Sequence, residues 1–361
     1  MYIDRGLMPI HETILEVAEE PMFIKKALAE KYWQVVNTAE SIIKHQCENI
    51  FILGNGDSYF CGQMVQLAFE NWAGFPIEVP QGYEFALYGS PLFTKKSAAI
   101  VISSSGRVSK ARETLDQVAK SDAFKIGLTD NNSSDNPFIE KTDIQIVPEA
   151  KKKGWPTQTT LTSAVLLIGL SIELGRLRGC LSGEQYETLK HELMKIPNKL
   201  AKALDSSKRT STSMARGLAN CPMYSFVGSG PGVGIANLGV ALMNEAPQIA
   251  AVSYQVEEYH HSLRFSVLSP QNIPVLIALN GKAYPRFIET AESIVNWGVP
   301  FAAVVNEGET TIKNLSTWCF EVPALPEPMS ALTALPPLHQ WSIDLTDIRL
   351  LNGYRRTPIV P

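Results

Sequence analysis

Phe226-Val-Gly-Ser-Gly230 opens the stretch that decides the fold, and Asn244-Glu245 and Glu257-Glu-Tyr-His-His261-Ser close it. An apolar strand runs into a double-glycine turn, a helical pattern follows and ends on a carboxylate, and a short segment then gathers acidic and imidazole side chains. Acid and imidazole downstream of such a turn are the parts of a proton-transfer site. The same opening occurs once earlier, at Phe51-Ile-Leu-Gly-Asn-Gly56. Gly54 and Gly228 stand 174 positions apart (228 − 54), and Glu84 and Glu258 keep the same separation (258 − 84). Ile52-Leu-Gly-x-Gly56 therefore lies over Phe226-Val-Gly-x-Gly230, and Glu84-Phe85 over Glu258-Tyr259, which reads as a duplicated domain.

Working outward, Asn49 to Leu53, Ile77 to Val79, Ala98 to Ile102, Lys125 to Leu128 and Ile144 to Val147 read as short apolar strands, with helical patterns over Val108–Val118 and Gln158–Leu177. The second copy repeats the order, with strands at Tyr224–Val227, Ala250–Tyr254, Pro274–Ala278 and Phe301–Val305. Alternating strands and helices predict an α/β fold: two flavodoxin-like domains, each a parallel sheet flanked by helices. The expected division is a helical cap over 1–45, a first domain over 46–180, a helical connection over 181–220, a second domain over 221–325, and a C-terminal helix and tail over 326–361. Within the cap, one helix is expected to stop at Pro21 and another to run from Phe23 to Ile43. The connection should break at Pro197 and in the Ser/Thr-rich run Asp205–Ser213.

A chain of 361 residues with 45% hydrophobic and 19% charged residues suits two soluble domains, and no segment has the long uncharged run expected of a membrane span. A net charge of −4 argues against general nucleic-acid affinity, which needs clustered cations. Lys151-Lys-Lys153 is either a solvated turn or a cationic rim beside an anion site. Five scattered cysteines with no CxxC and no leader predict a reducing, cytoplasmic setting. Of six histidines only His260 and His261 are neighbours, so no metal is expected.

The double glycine at Gly54 and Gly56 lacks the third glycine of a dinucleotide fingerprint, since Tyr59 takes that place, and Val233 does so in the second copy. The turn instead suits close approach of backbone to a sugar or phosphate, with Gly56, Asp57 and Ser58 as contacts. Ser103-Ser104-Ser105-Gly106 follows a buried strand and precedes a helix, a place where hydroxyls and free N–H groups take an anion. Thr157, Gln158 and Thr160, at the start of the last helix of that half, could add polar groups. Taken singly, Glu245 reads as a solvated helix end and His261 as a structural hydrogen-bonding residue; their shared place in one duplicated unit favours an acid–base pair.

On these residues the chain resembles the tandem SIS (sugar isomerase) domain family, and in particular the isomerase half of glucosamine-6-phosphate synthase and the fructosamine-6-phosphate deglycases. Glu16-Val-Ala-Glu-Glu-Pro21 is similar to the family's E-I-x-x-Q-P, Gly56-Asp-Ser-Tyr59 to G-T-S-Y, Ser103-Ser-Ser-Gly106 to the S-Q-S-G phosphate loop, Glu84-Phe85 to S-E-F, and Glu258-Tyr-His-His261 to E-L-K-H. The family base precedes the histidine of E-L-K-H by 16 residues, as Glu245 precedes His261 (261 − 245). The resemblance implies that Glu245 shuttles a proton between C1 and C2 through an enediol, that His261 assists ring opening from a neighbouring subunit, and hence a homodimer. Departures are equally specific. Arg107 and Val108 replace the Glu and Thr of S-G-E-T, Leu242 replaces a helix lysine, and the tail after Lys313 has no lysine to match the synthase's. No glutaminase segment or catalytic cysteine is found near residue 1, so the full amidotransferase is not expected.

The expected function is aldose–ketose isomerisation of a sugar with an anionic C6 group, needing no cofactor. The anion is expected to be a phosphate, with a 6-sulfo sugar as the other candidate because Arg107 supplies fixed charge. Ser103, Ser104, Ser105, Gly106, Arg107 and Thr157 would hold the anion. A fructosamine-6-phosphate deglycase or amino-sugar-phosphate deaminase would use the same Glu/His pair and expel an amine. A non-catalytic sugar-phosphate sensor would be expected to lose the pair or carry a DNA-binding segment; this chain keeps the pair.

Overall fold

A computed structural model describes residues 10–155, 157–268 and 272–355. The first nine residues of the expected cap and the last six of the expected tail lie outside them. The chain divides into two compact units. One comprises Glu20–Lys152 and Gln158–Pro197, the other the described residues of Met1–Glu19, Lys153–Thr157 and Asn198–Pro361.

The first unit holds β1 (Asn49–Leu53), β2 (Ile77–Glu78), β3 (Ser97–Ile102), β4 (Phe124–Leu128) and β5 (Ile144–Ile146), all parallel, in the order β2-β1-β3-β4-β5. The second holds β6 (Met223–Gly228), β7 (Ala250–Gln255), β8 (Asn272–Ala278), β9 (Ala302–Asn306) and β10 (Trp318–Val322), in the order β10-β9-β8-β6-β7. Read from its own first strand, this is the same order, parallel throughout. Each is a doubly wound, flavodoxin-like sheet with its switch point beside its first strand. β10 is a fifth strand that the sequence reading passed over, because Trp318-Cys-Phe-Glu-Val322 mixes a charge into a partly exposed edge.

β3, β8 and β9 are buried along their whole length, as expected of strands covered on both faces. The copies match down to single side chains. Phe85, in the helix Gly82–Tyr88 after β2, packs with Phe51, Leu53 and Phe138, while Tyr259, in the helix Val256–His261 after β7, packs with Val227, Leu276 and Phe287. Burying each such ring contributes about 2–3 kcal/mol.

Two local expectations are corrected. The first helix does not stop at Pro21 but runs Ile10–Glu30, and the break comes at Lys31, before the helix Tyr32–Lys44. Pro21 gives up one backbone hydrogen bond, and burial of Val17, Ile24, Ala27 and Leu28 along the helix outweighs that loss. Residues 205–213 do not interrupt the connection either; they lie inside the helix Ile196–Leu218, with Pro197 in its first turn where a proline is tolerated. There Ser207 and Ser211 are buried, and their hydroxyls bond Leu204 C=O and Asp344. Gln158–Leu177 is long and apolar enough to cross a membrane by length and composition alone, although it is not the uncharged run a span was expected to need, since it carries Glu173 and Arg176. It is the buried core helix of its unit. Its Glu173, 1% exposed, is held by Lys190, by Tyr32 Oη at 2.9 Å and by Arg176 Nε at 3.2 Å.

Candidate active site

In the first unit the switch point is bounded by the loops after β1 and β3. Gly54 is required by close packing: a Cβ there would sit 2.6 Å from the Ser58 carbonyl carbon of the next helix. Its carbonyl accepts from Gly82 N at 2.7 Å, and Asn55 Oδ1 accepts from Gln81 Nε2 at 2.6 Å and Tyr83 N at 3.1 Å. The first glycine thus serves strand–helix packing. The partly exposed turn beyond it, with Gly56 at φ 55° and Asp57 and Ser58 opening the helix Asp57–Ala68, is what faces outward.

The loop after β3 is built more rigidly. Ser103 is buried and donates its N–H to Leu128 C=O at 3.0 Å, while Gly106 N reaches Ser103 O at 3.2 Å and Arg107 N reaches Ser105 Oγ at 3.2 Å. Gly106 lies at φ 64° against Asn136, whose Oδ1 would be 2.1 Å from any Cβ. The helix Ser109–Ala119 starts from Val108, which supplies no side-chain cap, so its first N–H groups are open to an anion. Arg107 is exposed and lies 3.7 Å from Asp135, which neutralises part of its charge.

The segment after β4 supports this loop from behind, and the sequence reading had not singled it out. Thr129 Oγ1 donates to Ser104 O at 3.2 Å, Asp130 N to the same oxygen at 2.9 Å, and Asn131 Nδ2 to Ser105 O at 2.9 Å. Asn136, buried, donates to Asn131 O at 2.6 Å and to Thr129 Oγ1 at 3.2 Å. Burial pushes the Asp130 carboxyl up to about 7, against the opposing pull of the Ala150 N–H, the Ser104 hydroxyl and Lys152. The available signal was Thr129-Asp-Asn131 at the end of a central strand beside the loop, where ligands bind in such sheets.

Of the other expected contacts, Gln158 is buried and its Oε1 accepts from Lys151 N at 3.0 Å, so it braces the lysine run. The Thr160 carbonyl faces the Cys61 thiol at 3.8 Å. Thr157 belongs to the second unit and is buried, its hydroxyl making no hydrogen bond among the described residues. In that unit Glu16 accepts from the N–H groups of Lys153 and Gly154, and Thr13 Oγ1 accepts from Trp155 N at 3.2 Å.

The second copy of the anion loop is closed. After β8, Lys282 N donates to Glu327 Oε1 at 2.9 Å, and a Cβ on Gly281 would stand 2.2 Å from that oxygen. The residual cavity is about 10 Å³. The position equivalent to the serine loop already holds the chain's own carboxylate.

Glu245 is the last residue of the helix Gly232–Glu245, partly exposed, and His261 is the exposed last residue of the helix Val256–His261. β7 lies between them in the chain, and its six residues rise about 20 Å. Glu245 therefore stands at the edge where the strands begin and His261 at the edge where they end. The structure does not bring them together within one unit. Near the Glu245 edge a cavity of about 390 Å³ is lined by Cys221, Gln248, Arg349 and Tyr354, with Tyr354 Oη 3.2 Å from Gln248 Oε1. Beside His261, His260 Nδ1 meets Thr290 Oγ1 at 3.0 Å, and burial holds that imidazole below its ordinary range.

Residues 44–170 match the family model of the SIS domain, and the second sheet repeats the strand order of the first. Across 348 residues it is 22% identical to a glutamine–fructose-6-phosphate aminotransferase (isomerizing) of Mycolicibacterium paratuberculosis, covering 92% of this chain and 54% of that protein. The chain spans about half the length of the curated relatives it matches. Among solved structures, the C-terminal domain of glucosamine-fructose-6-phosphate aminotransferase from Francisella tularensis superposes with a TM-score of 0.83 at 18% identity, over 93% of this chain and 96% of that one. Tagatose-6-phosphate ketose/aldose isomerase from Escherichia coli superposes with a TM-score of 0.77 at 12% identity, over 94% and 92%. At these identities the structural likeness establishes the fold.

Proposed function

We propose that the chain is an aldose–ketose isomerase for a sugar carrying an anionic group at C6, with Glu245 moving the proton between C1 and C2 and His261 assisting ring opening. The observation that carries this reading is the division of labour between the copies. The first keeps an open serine loop at an uncapped helix start, while the second has closed its equivalent with Glu327 and presents the carboxylate and imidazole instead. The names of the relatives support a sugar-phosphate substrate.

Proton transfer next to a carbonyl needs a positioned carboxylate, and no cofactor is invoked. Because Glu245 and His261 stand at opposite edges of one sheet, the pair is completed in a homodimer, the imidazole coming from the other copy. Exposed Leu263, Phe265 and Leu268, immediately after His261, supply an apolar surface for that contact. All five cysteines are free thiols, which suits a cytoplasmic setting. Leu242, at the position of the family's helix lysine, favours proton shuttling over Schiff-base chemistry.

Incubation with aldoses and ketoses bearing C6 phosphate or sulfonate, and with the matching amino sugars, in deuterated water tests the proposal by NMR. Deuterium at C1 or C2 without amine release is expected. Stoichiometric release of amine would make the chain a deglycase or deaminase, and tight binding without exchange a sensor.

A further inference from the structure

The loop Ser103–Gly106 would be expected to sit in a basic environment if it took a doubly charged phosphate. Its surroundings are mixed. On the outer side Arg107 is drawn toward Asp135 at 3.7 Å. On the inner side lies Asp130, whose N–H is bonded to Ser104 C=O at 2.9 Å and whose Oδ1 accepts from Ala150 N at 2.8 Å. Its second oxygen, Oδ2, is closed to water and meets no hydrogen-bond partner among the described residues, while the nearby Ser104 hydroxyl favours the ionised carboxyl. The charged groups around Asp130 are Lys152, which favours its ionised form, and Glu149, which opposes it; Glu149 is itself tied to Lys31 and Asn132. A carboxyl thus stands directly behind a loop suited to anions, in contact with the serine that would bind one.

We infer that Asp130 is a specificity-determining residue for the anion: it disfavours a doubly charged phosphate ester relative to a singly charged group such as a sulfonate, and it takes up a proton when either binds. This rests on the reading of Ser103–Gly106 as the anion loop. Burial leaves the carboxyl free to gain or lose its proton near neutral pH, with its midpoint at about 7. A sulfonate keeps one negative charge throughout that range, whereas a phosphate ester goes from one toward two. Coulomb repulsion scales with the product of charges, so an ionised Asp130 weakens a dianion by roughly the square of its effect on a monoanion.

Isothermal calorimetry on the wild-type chain, with glucose, mannose and galactose 6-phosphates and the corresponding 6-deoxy-6-sulfonates, reads this directly. Sulfonate affinity is expected to fall about threefold from pH 6 to pH 8.5, with proton uptake visible in buffers of different ionisation enthalpy. Asp130→Asn should abolish that pH dependence and, at pH 8.5, raise phosphate affinity about tenfold against about threefold for the sulfonate. If wild-type sulfonate binding is flat in pH without proton uptake, while Ser104→Ala/Ser105→Ala still weakens it, the role of Asp130 is wrong and the anion loop stands. If neither series binds, or the double serine variant binds as the parent does, the loop is not the anion site and both readings fall.

Discussion

At the scale of single residues, the proposed chemistry rests on groups that the sequence marks unevenly. The sequence marks Glu245 and His261 as candidates through their shared duplicated unit and the 16-residue spacing of the family resemblance, and Ser103 to Gly106 because hydroxyls and a glycine follow a buried strand. Asp130 and Glu327 were not legible: each acts by lying against a loop distant in the chain, and only the fold supplies that neighbour. Glu245→Gln should lower the rate of solvent-deuterium exchange into substrate by about 10²–10⁴-fold, the usual share of a positioned general base. Exchange at the parental rate would remove Glu245 from the mechanism. Asp130 also leaves a mark on stability. Its carboxyl keeps a proton in the folded state up to about pH 7, whereas the unfolded chain loses it near pH 4. Folding therefore loses stability as pH rises between those values and levels off above. Asp130→Asn should remove that part of the slope, read as melting temperature against pH; an unchanged slope would mean the carboxyl titrates normally.

At the scale of elements, local pattern identified nine of the strands and missed β10, whose partly exposed edge lacks the continuous apolar run that marks its neighbours. The breaks expected at Pro21 and Asp205–Ser213 failed for one reason. Local propensity was set against tertiary burial along the helices Ile10–Glu30 and Ile196–Leu218, and burial won. The double-glycine turn was read correctly as a turn, but its leading glycine works in packing. A Cβ at Gly228 would lie 2.1 Å from Gly232 O, so Gly228→Ala should cost about 3 kcal/mol, because backbone on both sides cannot yield. Gly183→Ala, where a Cβ meets nothing within 4 Å, is the control and should fall within about 0.5 kcal/mol of the parent by urea denaturation. Equal effects of the two would refute the packing role.

At the scale of the whole molecule, the duplicated register led correctly to two sheets of the same strand order, and the two copies differ at the loop after their third strand, open after β3 and occupied by Glu327 after β8. What the sequence could not reveal is that Glu245 and His261 stand at opposite edges of their own sheet, since spacing along a chain says nothing of direction until the strand between them is placed. In the proposed mechanism each working site therefore draws these two residues from different copies. Mixing inactive Glu245→Gln and His261→Ala proteins under conditions that allow subunits to exchange tests it most directly. A two-fold dimer formed from one of each has one site with both lesions and one with neither. An equal mixture should recover about a quarter of wild-type isomerase activity. No recovery, with subunit exchange verified by mass-tagged copies, would contradict it, because residues acting within one copy leave every site with a lesion.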